Sequence, residues 1–171
     1  MLFRSDPYFD NVVLLLHCDG ADGSTTFTDV KGHTCTANGN AQIDTAQSKF
    51  GGASALFDGT GDYLSVADSS DWDLASSQSF TAECWYRPAA IGANCAIISM
   101  GSSHLLFVNA STGMLRCPVA GINSSTGYLT TGSWHHCAVT RDGAAVKLFL
   151  DRKSTRLNSS HIPLSRMPSS A

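Results

Sequence analysis

The strand-like run Phe80-Thr81-Ala82-Glu83-Cys84-Trp85-Tyr86-Arg87 carries the most chemistry of any segment in this 171-residue chain. Its alternation places Glu83, Trp85 and Arg87 on one face together with Thr81. A carboxylate, an indole and a guanidinium side by side suit sugar binding, with the indole stacking on an apolar ring face. The same residues suit a structural role, with Glu83 paired to Arg87 or to a histidine and Trp85 capping a core. A second cluster is Trp134-His135-His136-Cys137. Neighbouring histidines on a strand point to opposite faces, so these two do not ligate one metal together, although each can meet an acid across a sheet. Glycoside hydrolysis usually takes two carboxylates, and Glu83 is the chain's one glutamate. The aspartate pairs Asp19/Asp22, Asp58/Asp62 and Asp71/Asp73 lie among turn formers, where Asp commonly bonds its own backbone. Neither a Ser-His-Asp nor a Cys-His arrangement can be assembled from the spacing. The expected protein is not an enzyme.

The elements that must hold these residues read as strands. Short alternating runs fall at 12–17 (the first buried strand), 25–30, 34–37, 41–44, 80–87, 95–100, 105–108, 114–119, 128–129, 134–140 and 145–150, with turn formers between them. Pro88 ends the run that begins at Phe80, since proline lacks the donor a ladder needs. Residues 50–64 read as a hairpin, two short strands around Asp58-Gly59-Thr60-Gly61-Asp62. No window shows a sustained helical stripe, so the chain reads as all-β.

Composition narrows the function. Apolar residues make up 43% and charged residues 15% of the chain, as in a globular domain. The net charge of −3 conceals an asymmetry. Residues 152–171 hold four basic residues and no acid, leaving seven basic residues against fourteen acidic ones in 1–151. An acidic body argues against nucleic acid as a partner. The apolar run Val12-Val13-Leu14-Leu15-Leu16 is too short for membrane insertion, and no secretory signal precedes it. Six cysteines without a Cys-x-x-Cys pair, several of them at in-facing strand positions, read as free buried thiols rather than disulfides or a zinc site.

Four segments carry a resemblance: Phe50-Gly51-Gly52-Ala53-Ser54-Ala55-Leu56-Phe57-Asp58-Gly59-Thr60-Gly61-Asp62-Tyr63-Leu64, then Phe80 to Pro88, then Ser133-Trp134-His135-His136-Cys137-Ala138-Val139-Thr140-Arg141-Asp142-Gly143, and then Val146-Lys147-Leu148-Phe149-Leu150-Asp151. Over about residues 11–151 the chain resembles the laminin-G-like, concanavalin-A-like jelly-roll family. The resemblance implies an antiparallel jelly-roll sandwich. It also implies a glycine-containing turn and further strands after Asp151. Residues 152–171 instead lack glycine and alternation and resemble translated sequencing-adaptor read-through. The organisation expected is a flexible lead-in at 1–11, an incomplete jelly roll at 12–151 that lacks its C-terminal strands, and a non-native or disordered tail at 152–171.

Many proteins of this kind hold calcium at the sandwich rim through aspartates and loop carbonyls, chemistry that suits a hard cation. The resemblance then points to Asp19, Asp22 and Asp29, with Asp58 and Asp62 at the hairpin. The Glu-x-Asp-x-Glu strand of the glucanases is absent. The opening Asp6-Pro7-Tyr8-Phe9-Asp10-Asn11-Val12-Val13-Leu14-Leu15-Leu16-His17, followed by a Gly-rich loop, resembles domains of bacteriophage virion and tail-fibre proteins. The function this implies is a non-catalytic module that binds carbohydrate or contacts other virion or surface proteins. Its location would be a virion or cell surface after cytoplasmic synthesis. The alternative is a polysaccharide-active enzyme domain or its accessory module.

Overall fold

Alternation becomes strand through most of the chain. The computed structural model describes residues 7–73, 78–123, 128–151 and, as backbone, 153–156. Every strand pairing among them is antiparallel. The chain divides after Asp73 into two units.

The first unit contains β1 (Phe27–Thr28), β2 (Thr34–Asn38), β3 (Gln42–Asp44), β4 (Ser54–Leu56) and β5 (Tyr63–Val66). One sheet runs in the order β1-β2-β5, and β3 pairs with β4 in another. Phe27, Ile43 and Ala53 form its buried centre, with Cys18, Cys35, Ala37, Ala55 and Leu64 packed around them. Two expectations change here. Residues 50–64 are not a hairpin: β4 pairs with β3 and β5 with β2, so the Gly-rich segment between them connects two sheets. The run at 12–17 is not a buried strand. Only Leu16 bridges to Asp29, while Val13 and Leu14 are exposed. The Leu15 amide is diverted to the Asp29 carboxylate at 2.7 Å instead of extending a ladder. Within the lead-in, a single 3₁₀ turn at Phe9–Asn11 is held by Lys31, whose ammonium lies 4.7 Å from the centre of the Phe9 ring.

The second unit contains β6 (Phe80–Tyr86), β7 (Cys95–Met100), β8 (Ser103–Val108), β9 (Leu115–Cys117), β10 (Ile122–Asn123), β11 (His135–Asp142), β12 (Ala145–Leu150) and β13 (Lys153–Arg156). They form two four-stranded sheets, β10-β9-β8-β7 and β13-β12-β11-β6. The inner faces meet in one core, where Leu106, Leu115, Cys117, Cys137, Val139 and Leu148 are wholly buried. Each large apolar side chain so placed contributes about 1.5–3 kcal/mol by leaving water. The β11–β12 hairpin turns through Gly143-Ala144, since Asp142 faces Ala145. Gly143 has φ +57°, and glycine at the first central position is the type II′ pattern that matches strand twist.

Strand β13 lies inside the segment expected to be tail. Lys153 pairs with Leu150 and Ser154 with Phe149. An open β12 edge accepts backbone whether or not the incoming residues alternate, which is why composition did not show it. The left-handed conformation at the end of β12 is taken by Asp151 itself (φ +51°) in place of the expected glycine. Residues 157–171 lie outside the described residues. Among the described residues no helix is long and apolar enough to cross a membrane.

Candidate functional site

Register assembles the outer face of β6 and β11. Glu83 stands opposite Ala138, and Trp85 opposite His136. Their neighbours Ala82 and Cys84 pack against the core, so Glu83 and Trp85 point the other way. The His136 ring lies 5.3 Å from that of Trp85, tilted by 54°. His136 Nε2 meets Glu83 Oε2 at 3.2 Å, with the Glu83 side chain 61% exposed and that of His136 18%. His136 Nδ1 is shut from solvent without a partner among the described residues. A proton on Nε2, donated to Glu83, is the tautomer that buries no unsatisfied donor. Arg87 does not join this group: its Nε donates to the Gly132 carbonyl at 3.1 Å and anchors the segment before β11. Of the three residues expected together, two meet, and the histidine that links them comes from another strand.

Of the aspartates expected to hold calcium, Asp58 and Asp62 lie together around Asn40, and most of the five are engaged with hydrogen-bond donors. Asp22 accepts from the Thr45 amide at 3.0 Å and from its hydroxyl at 3.2 Å. Asp58 accepts from the Thr60 amide at 2.7 Å and from Asn40 Nδ2 at 3.0 Å. The Asn40 bond leads the contacts that hold the Asp58 pKa below its ordinary value. Asp62 accepts from the Asn40 amide and the Asp58 amide, both at 2.6 Å. Asp19 lies against the backbone of Gly51. A cation would have to displace most of these donors. Among the described residues no group of three or more His, Cys, Asp and Glu side chains is placed to hold a metal ion. Gly39 explains part of the arrangement. It has φ +67°, and a Cβ there would strike the Asp62 carboxylate.

Asp29 is different because its carboxylate is buried. Oδ1 accepts from the Leu15 amide, and Oδ2 accepts from the His33 amide at 2.9 Å and meets His33 Nδ1 at 2.8 Å. Burial alone would raise the Asp29 pKa, but the Leu15, His33 and Lys31 amides and the His33 ring outweigh it and hold it at about 2. The other ring nitrogen of His33 meets Asp71 at 3.0 Å. Hydrogen bonds to Asp29 and then Asp71 raise the His33 pKa. The Trp72 ring covers the imidazole at 4.8 Å. This carboxylate–imidazolium–carboxylate chain was invisible in sequence because its ends are 42 residues apart; a histidine four residues after an aspartate was the only local hint.

His135, on the opposite face from His136, is a clamp. Its Nε2 accepts from the Thr130 amide at 3.0 Å, and its Nδ1 meets Asp151 at 2.9 Å. Asp151 also accepts from the His136 amide at 3.1 Å. Burial pushes the Asp151 pKa up, but the His135 and His136 contacts prevail and lower it. The cysteines are free. Burial pushes the Cys84 thiol to about 12 and that of Cys137 upward as well, so both pack as protonated, unreactive groups.

No curated protein and no solved structure matches the chain. Residues 58–162 match the family model described as the concanavalin A-like lectin/glucanases superfamily. Such a domain supports a carbohydrate-binding or structural module in general. With that match covering more than half of its length and its strands in antiparallel sheets of the same type, the chain belongs to the concanavalin A-like superfamily.

Proposed function

We propose that this chain is a non-catalytic glycan-recognition module whose contact face is the outer surface of β6 and β11. The observation that carries the reading is the meeting of Trp85, His136 and Glu83 on that face. The indole supplies a flat apolar surface for a sugar ring. Beside it, Glu83 keeps a mostly exposed carboxylate that can accept from sugar hydroxyls. His136 orients that carboxylate by donating to it. Catalysis is not part of the proposal, because the one glutamate of the chain is tied to His136 and has no second carboxylate beside it among the described contacts.

The setting proposed is a virion or tail-fibre-type protein acting at a cell surface, with carbohydrate or neighbouring virion proteins as partners. Its support is the resemblance of residues 6–17. Calorimetric titration of the full chain with neutral oligosaccharides tests the site. Trp85→Ala is expected to weaken binding about 5- to 10-fold, the range for a lost aromatic contact. Binding that is indifferent to Trp85→Ala and Glu83→Gln overturns the site. Release of reducing sugar that stops on an Asp→Asn change favours the enzyme alternative instead.

A further inference from the structure

On the other sheet of the second unit, the outward side of β9 and β10 holds a small open depression with room for about 170 Å³. It is lined by Asn109, Thr112, Met114, Arg116 and Asn123. Leu115 and Cys117 on either side of Arg116 are fully buried in the core, so Arg116 faces outward. Register sets Arg116 between Asn123 on β10 and Phe107 on β8.

Two facts single out this arginine. Its Nε is buried and has no hydrogen-bond partner among the described residues. A guanidinium is always charged and carries five donors in a fixed fork, so a buried Nε–H without an acceptor calls for an anionic or strongly accepting ligand. The surrounding groups set what kind. Asn109 Oδ1 accepts from the Ser111 amide at 3.0 Å and the Thr112 hydroxyl at 3.2 Å, so the oxygen of this carboxamide is engaged locally. Asn123 is exposed on the far side. Among the described residues the lining therefore offers one cation flanked by carboxamides and no second cation. A dianionic phosphate wants more positive charge than one guanidinium in a body with seven basic and fourteen acidic residues. A single carboxylate matches one guanidinium fork. The volume lies below the roughly 300–1,000 Å³ of drug-sized pockets, which limits the ligand to one ring or chain end.

We infer that this depression binds the carboxylate of an acidic sugar, a hexuronic acid residue, with Arg116 taking the carboxylate and Asn109 and Asn123 bonding the ring hydroxyls. The site lies on a different sheet from Trp85 and does not rest on the reading of that face.

The test is calorimetric titration of the full chain with galacturonate, galactose and acetate at fixed ionic strength, with amide NMR shifts at residues 109–123 reporting location. Galacturonate is expected to bind about tenfold or more tightly than galactose, the range for a charge-assisted contact. Arg116→Lys, which keeps the charge but loses the fork, is expected to weaken galacturonate about 5- to 10-fold. Asn123→Ala, an exposed change that leaves the core intact, should cost about 3-fold or more. Lys147→Ala removes the same charge elsewhere and should leave affinity within about twofold. Equal binding of galactose and galacturonate, indifference to both site variants, or the absence of any galacturonate binding overturns the inference. Acetate binding as tightly as galacturonate also overturns it, because the sugar ring would then contribute nothing. Trp85→Ala separates the two sites: it should weaken neutral oligosaccharides and not galacturonate.

Discussion

Replacing Asp29 with asparagine should destabilise the first unit more than any other single polar change there. Its buried carboxylate accepts from the Leu15 amide on one oxygen and from the His33 amide and ring on the other. Asparagine offers one oxygen, so in either orientation its NH₂ faces an N–H donor and leaves that donor unsatisfied. Leaving a buried donor unmade costs about 1–3 kcal/mol, and bonds to a charged acceptor are each worth about 1.5–3 kcal/mol. Allowing for some rehydration, the loss should be about 2–4 kcal/mol. In urea, with a slope of about 2 kcal/mol per molar, the midpoint should fall by about 1–2 M. Asp71→Asn, at the exposed end of the same chain, should cost under about 1 kcal/mol.

The pH dependence adds a check with a definite sign. The Asp29 pKa is lowered to about 2, so its contribution is complete above the unfolded value of 3.8 and is lost as pH falls toward 2. The His33 pKa is raised, so its contribution is complete below 6.5 and is lost as pH rises through the folded value. The difference between wild type and Asp29→Asn should therefore be widest between about pH 4 and 6.5 and narrow on both sides. A midpoint shift below about 0.5 M, or a difference that stays flat with pH, would refute the reasoning.

Two further outcomes follow from the packing. Gly39→Ala should cost about 1–3 kcal/mol in thermal or urea denaturation, because it combines a positive φ with a clash against the Asp62 carboxylate; an unchanged midpoint would show that the Asn40–Asp62 contact is dispensable. In the native chain at neutral pH, Cys84, Cys117 and Cys137 should resist alkylation, since two are wholly buried and burial raises the pKa of all three. Mass mapping after a short pulse checks this, and labelling of those three as fast as in denaturant would contradict the core described above.

Sequence alone determined what depends on neighbours along the chain. Alternation placed β6, β7, β8, β11 and β12 within a residue or two, because a strand's two faces see different surroundings and its residue types record that. It also put Glu83 and Trp85 on one face and set His135 and His136 on opposite ones. Pairing was another matter. The glycine-rich segment at 58–62 looks like a hairpin turn locally, yet β4 and β5 go to different sheets. Turn residues permit a reversal without choosing which strand is met. Neither β10 nor β13 carries enough alternation to announce itself, and both exist because an open edge was there to pair with. The side-chain groupings were decided the same way. His136 reaches Glu83 from a strand 53 residues away, Asp71 reaches His33 across 38, and Arg87 leaves its expected companions for a carbonyl at Gly132. Spacing along the chain specifies which face a side chain takes, whereas the register of distant strands specifies whom it meets, and only the folded sheet fixes register.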